Sequence, residues 1–382
     1  MNDGRVMVYV QHLLGIGHQM RVAAIVRAMV ARGLEVTCVS GGEPGGMPDL
    51  DAAGLVQLPS VRATDAGFGT LVDAQGHEID DAWRSARREA LLRAFQIVRP
   101  EVLLIETFPF GRWQFRFELL PLLEAAQILG TQITASVRDI LVQKHKPGRT
   151  EEIVAILRNY FRAVLVHGDE RLAPFGATFP AADQISDLIR YTGYVAPPAP
   201  QTGPKDAGSG EVIVAAGGGA VGGRLLRTAL AARPLTALAE APWRLITGPN
   251  MPAQERAALT PQPGVTVETL RGDYREILSR AALSISQAGY NTVMDILVSG
   301  ARSVLVPFAA ENETEQGLRA RLLAEQGRAV VQPESELSAQ TLADAVDRAL
   351  AAPPPPQIDI ALDGAERTAE IIIEIMRCPS GI

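Results

Sequence analysis

His12 and His18 stand on either side of the glycines in VYVQHLLGIGHQMR, directly after an apolar run. A neutral imidazole there can take the proton of a hydroxyl nucleophile. Three more apolar runs end in polar groups: Glu106 in LLIETFPFGR, Arg138 and Asp139 in ASVRDIL, and His167 and Asp169 in VLVHGD. His18 is the candidate general base, and Glu106 or Asp139 the residue that orients it or takes its place. A lone histidine at a helix start is more often a cap or a surface residue. The case therefore rests on polar groups recurring at one strand edge.

A second set of residues has donor-binding chemistry. EVIVAAGGGAVGGRLL carries Gly217, Gly219 and Gly222 in G-x-G-x-x-G spacing, which brings backbone N–H groups and a helix start up to a diphosphate. The next run, WRLITGPN, ends in Gly248 and Pro249 rather than an acid, which argues against a dinucleotide cofactor; a Walker lysine is also absent. SISQAGYNTVMDIL breaks at Gly289 and resumes as a helix, with Asn291 placed to cap it, Asp295 in or near its first turn and Gly300 past its end. Asp295 there either complements the helix dipole or accepts hydrogen bonds from two vicinal ribose hydroxyls. The loop Glu311 to Gln316 is polar enough to meet sugar hydroxyls, or simply to face water.

The elements that must position these residues are strands and helices in alternation. VMVYV, LEVTCVS, EVLLIE, QITASV and AVLVHG form one series, and EVIVAA, WRLITG, VTVETL, LSIS, SVLVPF and AVVQ a second. Helical patterns between them predict parallel βαβ units and two α/β sheets in succession. The expected organisation is an N-terminal domain over 1–195, a Pro/Gly-rich linker over 196–210 and a C-terminal domain over 211–352. A segment over 353–382 opens with PPPP and ends in a helix able to pack back on the first domain.

Composition excludes several classes. At 47% hydrophobic residues, 382 residues can bury a core in each of two domains, and a net charge of −7 gives no general attraction to nucleic acid. Cys38 and Cys378 are too few and too far apart for a disulfide framework or a Cys-based zinc site. The start lacks a signal-peptide pattern, and no apolar run approaches the roughly 20 residues that cross a bilayer, so the expectation is a cytoplasmic protein, at most peripheral on the membrane. Asp49 and Asp51 form a D-x-D outside any metal-nucleotide context, and H-E-x-x-H, C-x-x-C pairs and G-x-S-x-G are missing. No metal and no cofactor are expected.

Taken together, the GxGH turn, the glycine-rich turn opening the second half and GYNTVMD followed by VPF and EQGLRA resemble the GT-B glycosyltransferases. The chain is similar to the lipid-II-forming N-acetylglucosaminyltransferase family. FPFGR, SVRDIL, VHGD and YTGYV bring it closer to a group of bacterial predicted glycosyltransferases. The resemblance implies two Rossmann-like domains facing across a cleft and metal-independent, inverting transfer from a nucleotide sugar, UDP-linked in the relatives. It makes Asp295 the ribose acid, where the family has glutamate. Gly218, Gly219 and Ala220 then line the diphosphate beside Ser286, Gln287, Gly289, Tyr290, Asn291 and Thr292. Glu315 and Gln316 meet the sugar, and Leu270 and Arg271 the base. Gly15, Gly17, Arg112 and Arg138 fall on the acceptor side. A nucleotide-sugar hydrolase or 2-epimerase, and a non-catalytic nucleotide-sugar binder, share the same features.

TFPFGRWQFRFELLPLL, residues 107–123, gathers five aromatics with Arg112 and Arg116. With a helix beginning near Arg112, Trp113 and Phe117 share a face. The segment reads either as a core helix or as a docking patch for a hydrophobic or lipid-linked acceptor and an anionic membrane surface.

Overall fold

The computed structural model describes residues 4–13, 17–44, 48–63, 70–141, 147–196, 208–217, 222–248, 251–259, 262–269, 272–309, 314–356 and 359–378. The chain divides into two compact units, Met1–Val195 with Ile360–Ile382, and Ala196–Asp359. In chain order the first unit contains β1 (Arg5–Val10), α1 (Gly17–Ala31), β2 (Glu35–Ser40), β3 (Gly54–Gln57), a ribbon of β4 (Val61–Ala63) and β5 (Leu71–Asp73), α2 (Asp81–Val98), β6 (Val102–Glu106), α3 (Arg116–Ile128), β7 (Gln132–Arg138), α4 (Arg149–Tyr160), β8 (Ala163–His167) and β9 (Ile189–Tyr191). Its seven-stranded sheet runs β3-β2-β1-β6-β7-β8-β9 with every pairing parallel.

Val6–Val10 and Val102–Ile105 are buried on both faces, which explains why their sequences are apolar without alternation. Alternate residues serve opposite layers. Met7, Tyr9, Leu103 and Ile105 pack with Leu91, Phe95, Leu119 and Leu122, whereas Val6, Val8 and Leu104 pack with Val22, Ile25 and Met29 of α1. Those α1 residues, with Val26, recur at three- and four-residue spacing, and this stripe is what makes the segment an amphipathic helix.

The second unit contains β10 (Val212–Ala215), α5 (Gly223–Ala232), β11 (Trp243–Thr247), α6 (Ala253–Ala257), β12 (Val265–Thr269), α7 (Tyr274–Leu278), β13 (Leu283–Ser286), α8 (Tyr290–Ser299), β14 (Ser303–Leu305), α9 (Glu315–Glu325), β15 (Val330–Val331) and α10 (Ala339–Ala351). Its six-stranded sheet runs β12-β11-β10-β13-β14-β15, again parallel. The last helix, α11 (Gly364–Arg377), belongs to the first unit, where Ile371, Ile372 and Ile375 join the α1 layer. The returning chain is stitched down by Tyr194 N–H to Ala361 O at 2.8 Å and Gly364 N–H to Tyr194 O at 2.9 Å. Only glycine fits there, since a Cβ on Gly364 would stand 2.5 Å from the Gly193 carbonyl oxygen.

Both sheets share one consequence for function. The chain leaves the central strand to one side and comes back on the other, so the loops after β1 and β6 diverge, as do those after β10 and β13. Such switch points at the carboxyl ends of parallel strands leave a crevice for ligands. His18 and Glu106 lie at the first; Gly217 and Gly289 lie at the second.

Candidate active site

Glu106 ends β6 with no solvent exposure, and His18, in the first turn of α1, places Nδ1 2.6 Å from its Oε1. Arg21, one turn further along α1 and 2% exposed, donates from Nη2 to the same oxygen at 2.5 Å. With a carboxylate as partner, the His18 proton sits on Nδ1 and the lone pair on Nε2. The imidazole keeps 21% of its side chain exposed, enough to meet a substrate. Burial lowers the His18 pKa to about 4, with Arg138 and Arg112 acting in the same sense against Glu106. Burial alone would raise the Glu106 carboxyl, but His18, Arg21 and Arg112 hold it well below the usual range. The pair is a neutral base backed by an anion.

Arg112 follows β6 in a strained turn. Thr107 and Arg112 have φ of 68° and 61°, left-handed values that non-glycine residues adopt at a cost of about 1 kcal/mol or more each. The turn aims the Arg112 Nε at the Gln11 carbonyl, 2.7 Å away. Arg138 ends β7 near enough for the two guanidinium charges to oppose one another. Asp139 points elsewhere. Its carboxylate, 1% exposed, accepts from the Tyr194 hydroxyl at 2.7 Å and the Ile140 N–H at 2.9 Å. His12, half-buried, accepts from Gln19 Nε2 at 3.1 Å. His167 is fully buried between Ser136 Oγ (2.7 Å) and Thr192 Oγ1 (2.9 Å), a core position. Gly17 opens α1, whereas Gly15 lies outside the described residues.

These buried imidazoles tie stability to pH. Burial also lowers the His167 pKa, to about 3. Below about pH 6.5 the unfolded chain protonates both histidines while the folded chain protonates neither. Stability therefore falls as pH drops from about 6.5 toward 4, by up to about 1.4 kcal/mol per pH unit for each group. Urea midpoints should decline between pH 7 and pH 5, and His167→Asn should remove part of that decline; a flat midpoint would exclude the linkage.

At the second switch point, α8 begins at Tyr290 with Gly289 as its N-cap and ends at Gly300, whose φ of 68° closes the helix as expected. Asn291 is thus inside the helix rather than its cap, and Asp295 lies beyond the first turn, which carries no acid. This corrects the cap assigned to Asn291 and puts Asp295 near the first turn rather than in it: Gly289, extended at φ −63° and ψ 151°, caps the helix two residues earlier than Asn291 would. The dipole explanation for Asp295 falls with it. Instead Asp295 accepts from Arg275 Nε of α7 at 2.8 Å, with 16% of its own side chain exposed. Burial raises its pKa against the pull of Arg275.

Gly217, Gly289 and Thr292 lie together: among the described residues, a Cβ on Gly217 would meet only Gln287 Oε1 (3.8 Å) and Thr292 Oγ1 (4.0 Å), and one on Gly289 only Thr292 Oγ1 (4.0 Å). Ser286, Gln287 and Tyr290 are buried beneath that turn, and Asn291 is half-buried. Gln316 fixes the turn to the next loop by accepting from Ala288 N–H (3.0 Å) and Phe308 N–H (3.1 Å). Glu315 pairs with Arg319 at 2.8 Å, and Arg319 also donates to Ala288 O at 3.2 Å. Sequence reasoning missed Arg21, Arg275 and Arg319. The first and third had a signal in their spacing, His18-x-x-Arg21 and Glu315-x-x-x-Arg319, one helical turn each. Gly218, Gly219, Ala220, Leu270 and Arg271 lie outside the described residues.

The aromatic segment is core in most of its members. A 3-10 turn, Trp113–Phe115, precedes α3, so the α-helix starts at Arg116 rather than near Arg112. Phe108 and Phe115 are fully buried, Phe110 packs edge-on against Phe175 and Phe179 at 5.3 and 5.1 Å, and Trp113 lies under Arg149 at 3.6 Å. Arg116 pairs with Glu152 at 3.5 Å. Among the described residues, no helix is long and apolar enough to cross a membrane, and no group of three or more His, Cys, Asp or Glu is placed to hold a metal ion.

Residues 212–367 match the glycosyltransferase family 28 C-terminal domain. The chain is 35% identical over 114 residues to the UDP-N-acetylglucosamine--N-acetylmuramyl-(pentapeptide) pyrophosphoryl-undecaprenol N-acetylglucosamine transferase of Phenylobacterium zucineum (strain HLK1), covering 27% of this chain and 31% of that protein. It is 30% identical over 277 residues to the transferase of the same name from Xanthomonas axonopodis pv. citri (strain 306), covering 68% and 59% respectively. The chain spans about a third of the length of the curated relatives it matches first. Among solved structures, the calicheamicin glycosyltransferase CalG4 superimposes with a TM-score of 0.61 at 17% identity, over 99% of this chain and 95% of that one. The MurG protein of Acinetobacter baumannii does so with a TM-score of 0.57 at 16% identity, over 98% and 99%. The fold is therefore GT-B, two Rossmann-like domains.

Proposed function

With a family 28 glycosyltransferase C-terminal domain on a GT-B scaffold as the premise, we propose that this enzyme moves a sugar from a nucleotide donor, UDP-linked, to an acceptor hydroxyl. The observation that carries the reading is the His18 imidazole, tied through Nδ1 to the buried Glu106 at a switch point of the first sheet. Nε2 of His18 removes the acceptor proton as the acceptor oxygen bonds to the anomeric carbon. The bond from that carbon to the diphosphate oxygen breaks, with inversion, and the nucleoside diphosphate leaves. Glu106 stabilises the imidazolium that forms. Backbone N–H groups at the start of α5 stabilise the leaving diphosphate, so no metal is required. Gly217 and Gly289 leave room beside the helix starts, Asp295 holds the ribose, and Arg112 and Arg138 face the acceptor. Asp139, bonded to Tyr194, takes no part in proton transfer.

Asp295 provides the test. Losing hydrogen bonds to a charged acceptor costs about 1.5–3 kcal/mol, roughly a tenfold loss of affinity or more. Asp295→Ala should weaken uridine diphosphate binding by that factor and 2′-deoxyuridine diphosphate binding much less, as read by calorimetry. Equal losses would remove the diol contact. EDTA should leave turnover unchanged. Donor consumption without any acceptor would replace transfer by hydrolysis.

The acceptor we propose is hydrophobic or lipid-linked, as the undecaprenol in the relatives' name is, with the protein cytoplasmic and peripheral on the inner face of the membrane. Vesicle sedimentation tests this: no binding to anionic vesicles at low salt, with full activity on a small soluble acceptor, would exclude it.

A further inference from the structure

Arg21 is buried with no role in the proton transfer just described, yet it bonds the oxygen of Glu106 that holds His18. A single carboxylate oxygen thus accepts from two donors on one helix turn. We infer that Arg21 is a positioning residue for the base: it fixes the Glu106 carboxylate in one orientation and keeps His18 as the neutral imidazole protonated on Nδ1. The inference rests on reading His18 as the base.

The physical argument is local. With Arg21 on Oε1, the Glu106 carboxylate cannot swing to give His18 a separate oxygen, and its proton affinity stays too low for it to take the Nδ1 proton. The guanidinium also opposes formation of an imidazolium nearby, so the lone pair on Nε2 survives at lower pH. The charged groups around His18 come from several elements: Arg21 on α1, whose Nη2 lies 3.4 Å from His18 Nδ1, Glu106 on β6, Arg112 after β6 and Arg138 on β7. Removing Arg21 strips one cation from this set and frees Glu106 to favour the imidazolium, and both changes raise the proton affinity of His18. A side chain that only filled space would do neither.

The experiment needs no substrate. In the full chain labelled at its five histidines, long-range proton–nitrogen NMR reports tautomer and titration, and His18→Asn identifies the His18 signal. Wild type should show the Nδ1–H tautomer and titrate near 4. Arg21→Met should titrate about one unit or more higher, a tenfold rise in proton affinity, with both tautomers present. Arg21→Lys, which restores the charge, should return the titration toward wild type. An Arg21→Met protein that is folded by circular dichroism and has the wild-type tautomer and titration would overturn the inference. Should Arg21→Met fail to fold, identical His18 titrations in Arg21→Lys and Arg21→Gln would overturn it equally, and a higher value in Arg21→Gln would support it. Full sugar transfer by His18→Ala would instead remove the base reading while leaving these titrations standing.

Discussion

His18→Ala is expected to lower kcat for sugar transfer by about 10²–10⁴-fold while leaving nucleoside diphosphate affinity nearly unchanged. The asymmetry follows from where the residue sits. His18 belongs to the first unit, with its Nδ1 held by Glu106, whereas Asp295, Gly217 and Gly289 belong to the second. A base acts only as the acceptor proton moves, so its loss appears in kcat and kcat/KM together and not in donor binding. His18→Asn should be equally impaired, since an amide offers no basic nitrogen. Glu106→Gln should fall in the same direction, because a neutral amide can present its NH2 to Nδ1 and favour the tautomer with the proton on Nε2. Donor titration by calorimetry and steady-state kinetics on the same preparations decide it. Activity near wild type in His18→Ala would dismiss the assignment.

The second large effect is on stability. Glu118 of α3 is fully buried and accepts from the Tyr9 hydroxyl (2.5 Å), Arg87 Nε (2.8 Å) and Arg87 Nη2 (3.0 Å). Arg87, also fully buried, further donates to Gln11 Oε1 at 2.5 Å and to the Gly41 carbonyl at 2.9 Å. The network ties α2 and α3 to the loops after β1 and β2, and its member Gln11 precedes His12 and accepts from Arg112 Nε through its carbonyl. Removing one partner leaves a buried charge without its counter-ion, at a cost of about 3–5 kcal/mol. Glu118→Ala should therefore lower Tm by on the order of 10 °C. Replacing both, Arg87→Met with Glu118→Leu, should cost much less than the sum of the single changes, since neither charge is then stranded. A drop under about 2 °C for Glu118→Ala in differential scanning calorimetry would show that the network contributes little.

Some of this could be read from residue order alone. Parallel strands buried on both faces must be apolar throughout, so VMVYV, EVLLIE and EVIVAA announced themselves, and the alternating helical stripes fixed the α/β class. Gly217, Gly289 and His18 were legible because strand-glycine-helix junctions leave a short local signature. The short strands Gly54–Gln57 and Ile189–Tyr191 were not, since they lie at the sheet edges with no run of buried residues to mark them. Asn291 misled because capping preference is a local tendency, and the extended backbone of Gly289 started α8 earlier.

What residue order by itself determined is where chemistry can occur: at the carboxyl ends of strands, because pattern and glycine placement are encoded over a few neighbouring positions. Tertiary structure alone decided which groups meet. Glu106 lies 88 residues from His18, Arg275 lies 20 from Asp295, and Tyr9 lies 109 from Glu118. Asp139 and Glu106 looked equivalent as strand-end acids, yet one is bound to Tyr194 and the other holds the imidazole. Pairing across such separations depends on strand order and on how far burial strengthens each charge, and neither quantity is written in a local stretch of sequence.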